Sequence, residues 1–240
     1  MIIIFGSLLV IPILCILALT YSGGRLQTAV MNSLPGYFGR LILMPGVIIH
    51  ELSHYLVCKL FLIKVTEVQL FIFDPASQTL GYVNSSYQTS SLLQRIGETF
   101  SGIAPLFVIT GVVAGLYWKM FPKGVHQIHQ VMQSDQPAIQ QYKLVISQII
   151  HSILDRGGIG IVFIAIVLVL MTGFALSPAD LSTATTGLIP LAVLITAIVV
   201  VSLYAPVIVH LSMLIGMFIL LVSATLIVFT SIGAFIINLI

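Results

Sequence analysis

Two histidines and a glutamate within five residues form the segment of this sequence best suited to chemistry. His50 and His54 are four positions apart, which places both imidazoles on one face of a helix, about one turn apart. Neutral imidazoles at this spacing bind one Zn²⁺ ion. In this arrangement Glu51 is not a ligand, but takes a proton from an attacking water and delivers it to the leaving amine. The segment His50-Glu51-Leu52-Ser53-His54 therefore predicts a hydrolytic site with one zinc ion per chain.

A catalytic zinc ion usually has three protein ligands and one open position, so a third ligand is expected elsewhere in the chain. Asp180 is the only acidic residue after Asp155. It also fits a helix start, because Ser177 could be the N-cap, Pro178 the first helical residue and Asp180 the third position of a capping box. From the residues alone, ligand and cap are equal alternatives for Asp180.

The composition predicts that most of the chain lies in lipid. Hydrophobic residues make up 59% of the sequence and charged residues 7%, whereas soluble domains carry about 25% charged residues. We therefore expect an integral, multi-pass protein of the cell membrane, with the lipid bilayer as its surroundings. The nine Lys and Arg residues form no basic stripe with interleaved aromatics, which argues against a nucleic-acid partner. The two cysteines lie in apolar runs and do not suggest a disulfide framework.

Six apolar stretches predict about six transmembrane helices, since one crossing needs about 20 apolar residues. The segment Met1–Tyr21 lacks a basic n-region and an obvious cleavage site, so we expect a retained span and not a signal peptide. A polar connection containing Gly23, Gly24, Arg25 and Arg40 is expected to follow it. The predicted spans are about residues 2–20, 41–63, 96–118, 159–176, 187–204 and 206 to the end.

Two of the connections have patterns of their own. Short β-prone runs on either side of Asp74-Pro75, within residues 64–86, predict a hairpin at or partly inside the membrane surface. Apolar residues at helical spacing from Ile139 to Ile153 predict an amphipathic helix at the interface. The expected fold class is thus an all-α polytopic membrane protein, with a small membrane-associated β-hairpin after the zinc-binding helix.

The segment from Pro45 to His54, PGVIIHELSH, resembles the catalytic span of the site-2-protease-like intramembrane zinc metalloproteases. In that family a membrane-associated β-hairpin follows the zinc helix, as residues 64–86 suggest here. The next span of the family opens with a Gly-x-x-Pro-like element, matched by Gly102-Ile103-Ala104-Pro105, and a later span supplies an aspartate ligand, matched by Asp180. The resemblance covers about residues 41–180. It implies that His50, His54 and Asp180 hold the zinc ion and that Glu51 is the base.

The same resemblance implies an endopeptidase that cleaves a membrane protein or a membrane-anchored peptide in or near the membrane. It implies one membrane-embedded domain over residues 1–240, with a catalytic core at about 41–186 and accessory spans at 1–22 and 187–240. Asn84 in the hairpin is a candidate for binding the substrate backbone, although Asn in turns ordinarily serves the turn itself. The chain departs from the family at Asp180, which lies in Ser-Pro-Ala-Asp-Leu where the family has Asn-Pro-x-x-x-Leu-Asp-Gly, and it has no PDZ-sized insertion.

Two other classes of function remain open. A membrane metal transporter or metal sensor could use the same His, Glu and Asp residues without proteolysis, and an inactive scaffold would keep the fold without needing them. A carrier has no need of a base beside a ligand, so Glu51 favours hydrolysis.

Overall fold

The chain is mainly helical, with one small antiparallel sheet. The computed structural model describes residues 10–34, 36–134, 136, 138–186, 193, 196, 197 and 206–239. The described helices and strands, in chain order, are α1 (Ile11–Ser33), α2 (Tyr37–Leu60), β1 (Lys64–Gln69), β2 (Tyr82–Ser86), α3 (Leu92–Met120), α4 (Pro122–Met132), α5 (Ala138–Leu154), α6 (Gly158–Met171), α7 (Pro178–Thr185) and α8 (Pro206–Ile237). This confirms the predicted helical class with a hairpin after the helix that carries His50. Most of the predicted fifth span, 187–204, lies outside the described residues.

Among the described residues, three helices are long and apolar enough to cross a membrane, namely α1, α2 and α3. A fourth crossing is possible if α5 and α6 form one broken span, because residues 140–154 and 158–174 together pass the same test and meet at a bend of 115°. Gly157, with φ +52°, lies at this bend, where a side chain would strain the backbone. These features define a membrane protein with three or four candidate spans, a coarser result than the predicted six.

The chain forms two compact units, and the first contains residues 1–109 and 169–240. In this unit α1 packs along α8 and against α2. Val30 of α1 and Leu43 and Val47 of α2 form a buried apolar cluster. At one end of the unit the Ser33 hydroxyl donates a hydrogen bond to the Ile237 carbonyl at 3.0 Å.

Helix α1 corrects one prediction from the sequence. The expected polar connection at Gly23, Gly24 and Arg25 is helical, and α1 continues to Ser33. The glycine here serves close packing, because a Cβ on Gly23 would lie 2.9 Å from the Cβ of Phe174. The actual connection to α2 is only residues 34–36, in which Gly36 has φ +72°.

The hairpin runs alongside α2 for most of the length of that helix. Strands β1 and β2 pair with Glu67 opposite Asn84, and the register shifts between Val65 and Glu67. Strand β1 begins just after α2 ends, yet the loop between the strands reaches Arg40 in the first turn of α2. At 1.5 Å per residue, Arg40 and Leu60 are about 30 Å apart along the helix axis.

The side chain of Arg40 binds the main chain of that loop. The guanidinium is 3% exposed and donates hydrogen bonds to the carbonyls of Ile72 at 2.9 Å and Ser77 at 2.5 Å. Longer bonds reach the carbonyls of Thr79 at 3.5 Å and Pro75 at 3.4 Å. A buried guanidinium needs such partners, because an unpaired buried charge is costly. Arg40 therefore fixes the position of the loop beside α2.

The second unit, residues 110–168, holds the end of α3, helices α4 and α5, and most of α6. The helix predicted from Ile139 to Ile153 is confirmed as α5, and its place at the membrane interface stays a prediction. Helix α4 precedes α5 in the chain and packs against it. This contact is close because Gly124 faces Ser152, where a Cβ would lie 2.7 Å from the Ser152 Cβ. The Tyr117 and Ser152 hydroxyls are also hydrogen-bonded at 2.7 Å.

Candidate metal centre

Two imidazoles and one carboxylate converge in the first unit. The Nε2 atoms of His50 and His54 are 3.0 Å apart. The Asp180 Oδ2 atom lies 3.4 Å from His50 Nε2, and Oδ1 lies 3.2 Å from His54 Nε2. The three ligand atoms lie within 4.8 Å of one another. The structure thus brings together the three residues that the sequence predicted as ligands, and their role as ligands stays a prediction.

Each histidine is held in the tautomer that a metal requires. His50 Nδ1 lies 2.7 Å from the Gly173 carbonyl and His54 Nδ1 lies 2.8 Å from the Ser101 carbonyl. A carbonyl oxygen can only accept a hydrogen bond, so each Nδ1 carries the proton and each neutral Nε2 keeps a free lone pair. Histidine ligands in metal sites are typically oriented by this kind of hydrogen bond. The donor set, two imidazole nitrogens and a carboxylate, fits Zn²⁺.

A proline inside α3 explains why the Ser101 carbonyl is available to His54. In a regular helix the amide of residue 105 would donate to the carbonyl of residue 101. Pro105 has no amide proton, so it leaves the Ser101 carbonyl without its usual helical donor. The other acceptor, Gly173, lies in a 3-10 turn, Thr172–Phe174, that follows α6. Both carbonyls that orient the histidines are therefore supplied where regular α-helical hydrogen bonding is interrupted.

Glycines allow the supporting elements to approach α2 and the residues that contact its histidines. A Cβ on Gly46 would lie 2.5 Å from the Thr172 hydroxyl oxygen, and a Cβ on Gly173 would lie 2.5 Å from the Gly46 carbonyl oxygen. A Cβ on Gly102 would lie 2.5 Å from the Asp180 carbonyl oxygen. Real Cβ atoms do not sit this close to backbone atoms. Gly46 and Gly173 thus bring the 3-10 turn to α2, and Gly102 brings α7 to α3.

Asp180 is both a helix-capping residue and part of the cluster. Ser177 is the N-cap of α7 and forms a capping box with Asp180. Asp180 Oδ2 accepts a hydrogen bond from the Ser177 amide at 2.7 Å, and the Ser177 hydroxyl accepts one from the Asp180 amide at 3.1 Å. The two interpretations that the sequence left open are therefore compatible, because the cap fixes the rotamer that directs the carboxylate toward the histidines.

Glu51 lies in the wall of the same cavity as the three candidate ligands. Its side chain is largely buried, with the residue 9% exposed. The hairpin loop packs closely over it, because a Cβ on Gly81 would lie 2.9 Å from the Glu51 Cγ. No described residue donates a hydrogen bond to its carboxylate. Glu51 therefore lines the cavity beside the three candidate ligands, and its role as a base stays a prediction.

Asn84, the candidate for binding the substrate backbone, also lines this cavity. Its side-chain amide, however, donates a hydrogen bond to Glu67 Oε2 at 3.3 Å across the hairpin. The Tyr82 hydroxyl donates to Glu67 Oε1 at 2.7 Å, and this bond raises the pKa of the Tyr82 phenol. The Asn84 amide is thus engaged within the hairpin, and its binding of a substrate stays a prediction.

The cavity itself has a volume of about 940 Å³. Its walls come from α1, α2, the hairpin, the 3-10 turn and α7. The sequence did not predict that α1 lines the cavity, because the N-terminal half of this helix has the composition of an ordinary apolar span. A signal was present, since polar residues recur along its second half at Thr20, Arg25, Thr28 and Asn32.

Comparison of the chain with models of protein families, with curated proteins and with solved structures finds no match. The resemblance to the site-2-protease-like proteases therefore rests on the residues of the motif, the hairpin, the Gly-x-x-Pro element and Asp180.

Proposed function

We propose that this protein is an intramembrane zinc-dependent endopeptidase that hydrolyses a peptide bond in or near a membrane-spanning segment of its substrate. The observation that carries the proposal is the convergence of His50, His54 and Asp180 beside Glu51 at one cavity. His50, Glu51 and His54 belong to a helix long and apolar enough to span a membrane. Ionisable groups at membrane depth are costly and are functional by default.

His50 Nε2, His54 Nε2 and one Asp180 oxygen would hold the ion. When bound there, zinc polarises the scissile carbonyl and lowers the pKa of a water toward about 7. The Glu51 carboxylate takes the proton from the attacking water as the carbon–oxygen bond forms. It returns that proton to the amine nitrogen as the peptide bond breaks. The carbonyls of Gly173 and Ser101 keep the two imidazoles in orientation throughout.

The substrate in this proposal is a membrane protein or a membrane-anchored peptide, and its scissile segment must be extended because a helix hides its amides. The β2 residues that line the cavity belong to a two-stranded sheet, and a free strand edge can pair with an extended peptide. Six crossings, with residues 187–204 as the fifth, are part of the same proposal. The long α8 helix and the bent α5–α6 pair support it.

The test is Glu51→Gln in protein reconstituted into lipid vesicles with a membrane-anchored reporter peptide. The amide cannot take up the proton, so we expect cleavage to fall by at least about 10³-fold, while one zinc ion per chain is still bound. Metal content is measured on the same samples by mass spectrometry. Cleavage by the variant at the rate of the parent would refute the proposed mechanism.

A metal transporter or sensor predicts a different outcome for the same preparation. Zinc uptake into the vesicles without any peptide cleavage would favour a carrier, because a hydrolase has no need to move its ion across the bilayer.

A further inference from the structure

Helix α1 supplies polar residues to the wall of the cavity. Six of its polar residues line the cavity that also holds Glu51 and Asp180. They recur at helical spacing over the second half of α1, so they share one side of the helix. These six residues, which we call the α1 stripe, are Thr20, Tyr21, Arg25, Gln27, Thr28 and Asn32.

Two large apolar residues of the same half of α1, Leu26 and Val30, are not part of the cavity lining. Leu26 and Val30 are buried, at 1% and 2% exposure, and Val30 packs with Leu43 and Val47 of α2. A candidate span thus separates its polar side chains from its apolar ones. A polar stripe at membrane depth needs water or a polar ligand as its partner, and the cavity is the space that this stripe faces.

Arg25 is the single Lys or Arg among the described residues that line the cavity. Its side chain is exposed, and no described residue forms a hydrogen bond or ion pair with it. The two acidic residues of the lining have other roles in the site, Asp180 as a candidate ligand and cap, and Glu51 as the candidate base. A guanidinium matches a carboxylate in shape and charge, with two parallel hydrogen bonds.

We propose that the α1 stripe is part of the peptide-binding site and that Arg25 recognises a carboxylate of the substrate, either an acidic side chain or the C-terminus. This inference rests on the proposed function, since it assigns a substrate class to that site. Tyr82, Val83, Asn84 and Ser85 of the hairpin line the same cavity. An extended peptide in this cavity would find hydrogen-bonding groups from both elements, and its carboxylate would meet Arg25.

The experiment measures binding without cleavage, in the full-length Glu51→Gln protein reconstituted with zinc. The probes are three short, otherwise identical apolar peptides with an uncharged fluorophore. The first has one glutamate and an amidated C-terminus, the second has glutamine in its place, and the third has glutamine and a free C-terminal carboxylate. The affinity for each peptide is measured in three proteins: the Glu51→Gln protein with its native Arg25, and the same protein carrying Arg25→Gln or Arg25→Glu. Arg156→Gln, outside the cavity lining, is the matched control.

We expect the first or the third peptide to bind about tenfold more tightly than the second, which corresponds to about 1.4 kcal/mol. Which of the two is preferred identifies the source of the carboxylate. Arg25→Gln should remove the preference, Arg25→Glu should reverse it, and Arg156→Gln should preserve it.

Equal affinity for all three peptides, or a preference that survives Arg25→Gln, would overturn the assignment of Arg25. No saturable binding of any peptide would also overturn it. Neither result bears on hydrolysis, which is measured separately through cleavage by the parent protein, so a failure of this inference can be distinguished from a failure of the proposed function.

Discussion

The carboxylate of Asp180 has two neighbours, the histidine pair and the start of α7, and substitutions can separate their contributions. Asp180→Asn keeps the size of the side chain but removes the charge that a metal ligand needs. Because even groups that only support a ligand contribute about 10–100-fold to metal affinity, we expect zinc affinity to fall by more than about 100-fold. Competition with a fluorescent chelator measures this.

Ser177→Ala is the companion change, because it removes the cap and leaves the carboxylate. We expect a loss of about 1 kcal/mol in stability, measured by thermal unfolding in detergent, and a fall in zinc affinity below about tenfold. Equal losses of zinc affinity in both variants would mean that Asp180 acts through the helix start alone.

Pro105 offers a prediction in which stability and metal affinity move in opposite directions. Pro105→Ala restores an amide that can donate to the Ser101 carbonyl, so α3 should become more stable because an internal proline costs a helix about 3 kcal/mol. The same amide competes with His54 Nδ1 for the carbonyl, and zinc affinity should fall by about tenfold.

Thermal unfolding and zinc competition on one preparation give both quantities. Pro45→Ala is the matched control. It also removes an internal proline from a helix, α2, but it adds no donor to the carbonyl of Ser101 or Gly173. A Pro105→Ala protein that gains stability with unchanged zinc affinity would show that the freed carbonyl has no role in the site.

At the scale of elements, the contact between α2 and the 3-10 turn depends on the absence of a side chain at residue 46. Gly46→Ala would place a methyl group 2.5 Å from the Thr172 hydroxyl and 2.8 Å from the Val169 carbonyl. The turn must move away, and we expect a loss of about 1–3 kcal/mol in stability together with weaker zinc binding, because the Gly173 carbonyl moves with the turn.

Gly111→Ala is the control, since nothing lies within 4 Å of a Cβ there and alanine favours the helix by about 1 kcal/mol. Thermal unfolding with and without zinc compares the two variants. A Gly46→Ala protein as stable as the Gly111→Ala protein would contradict the close contact.

The sequence predicted the elements that carry a periodic or motif signal and missed those that depend on tertiary contacts. His50, Glu51 and His54 are recognisable from their spacing, and the hairpin from its β-prone runs. The glycines at 23 and 24 suggested a loop, yet Gly23 lies inside a helix because Phe174 packs against it. The Gly173 and Ser101 carbonyls could not be predicted as partners of the histidines, since a backbone acceptor leaves no mark in residue type.

At the scale of the whole first unit, the hairpin loop and the α1–α2 link should lie on the same side of the membrane. The loop reaches Arg40 near the start of α2, whereas Leu62 lies beyond the end of that helix. We therefore expect cysteines introduced at Leu34 and Asp74 to react with an impermeant thiol reagent from one side, and a cysteine at Leu62 to react from the other.

The native Cys15 and Cys58 are buried, and a background in which both are replaced by alanine gives the baseline. Labelling of Asp74→Cys from the same side as Leu62→Cys would show that the hairpin does not run the length of α2.

The way in which Arg40 holds the loop has a consequence for how this protein can change over evolutionary time. The guanidinium contacts main-chain oxygens of Ile72, Pro75, Ser77 and Thr79, and every amino acid has such an oxygen. Gln78 and Thr79 line the cavity. Mutations of these two residues can therefore change which peptides the cavity accepts while the loop keeps its position. Selectivity is free to diverge at these positions, whereas Arg40 itself is not.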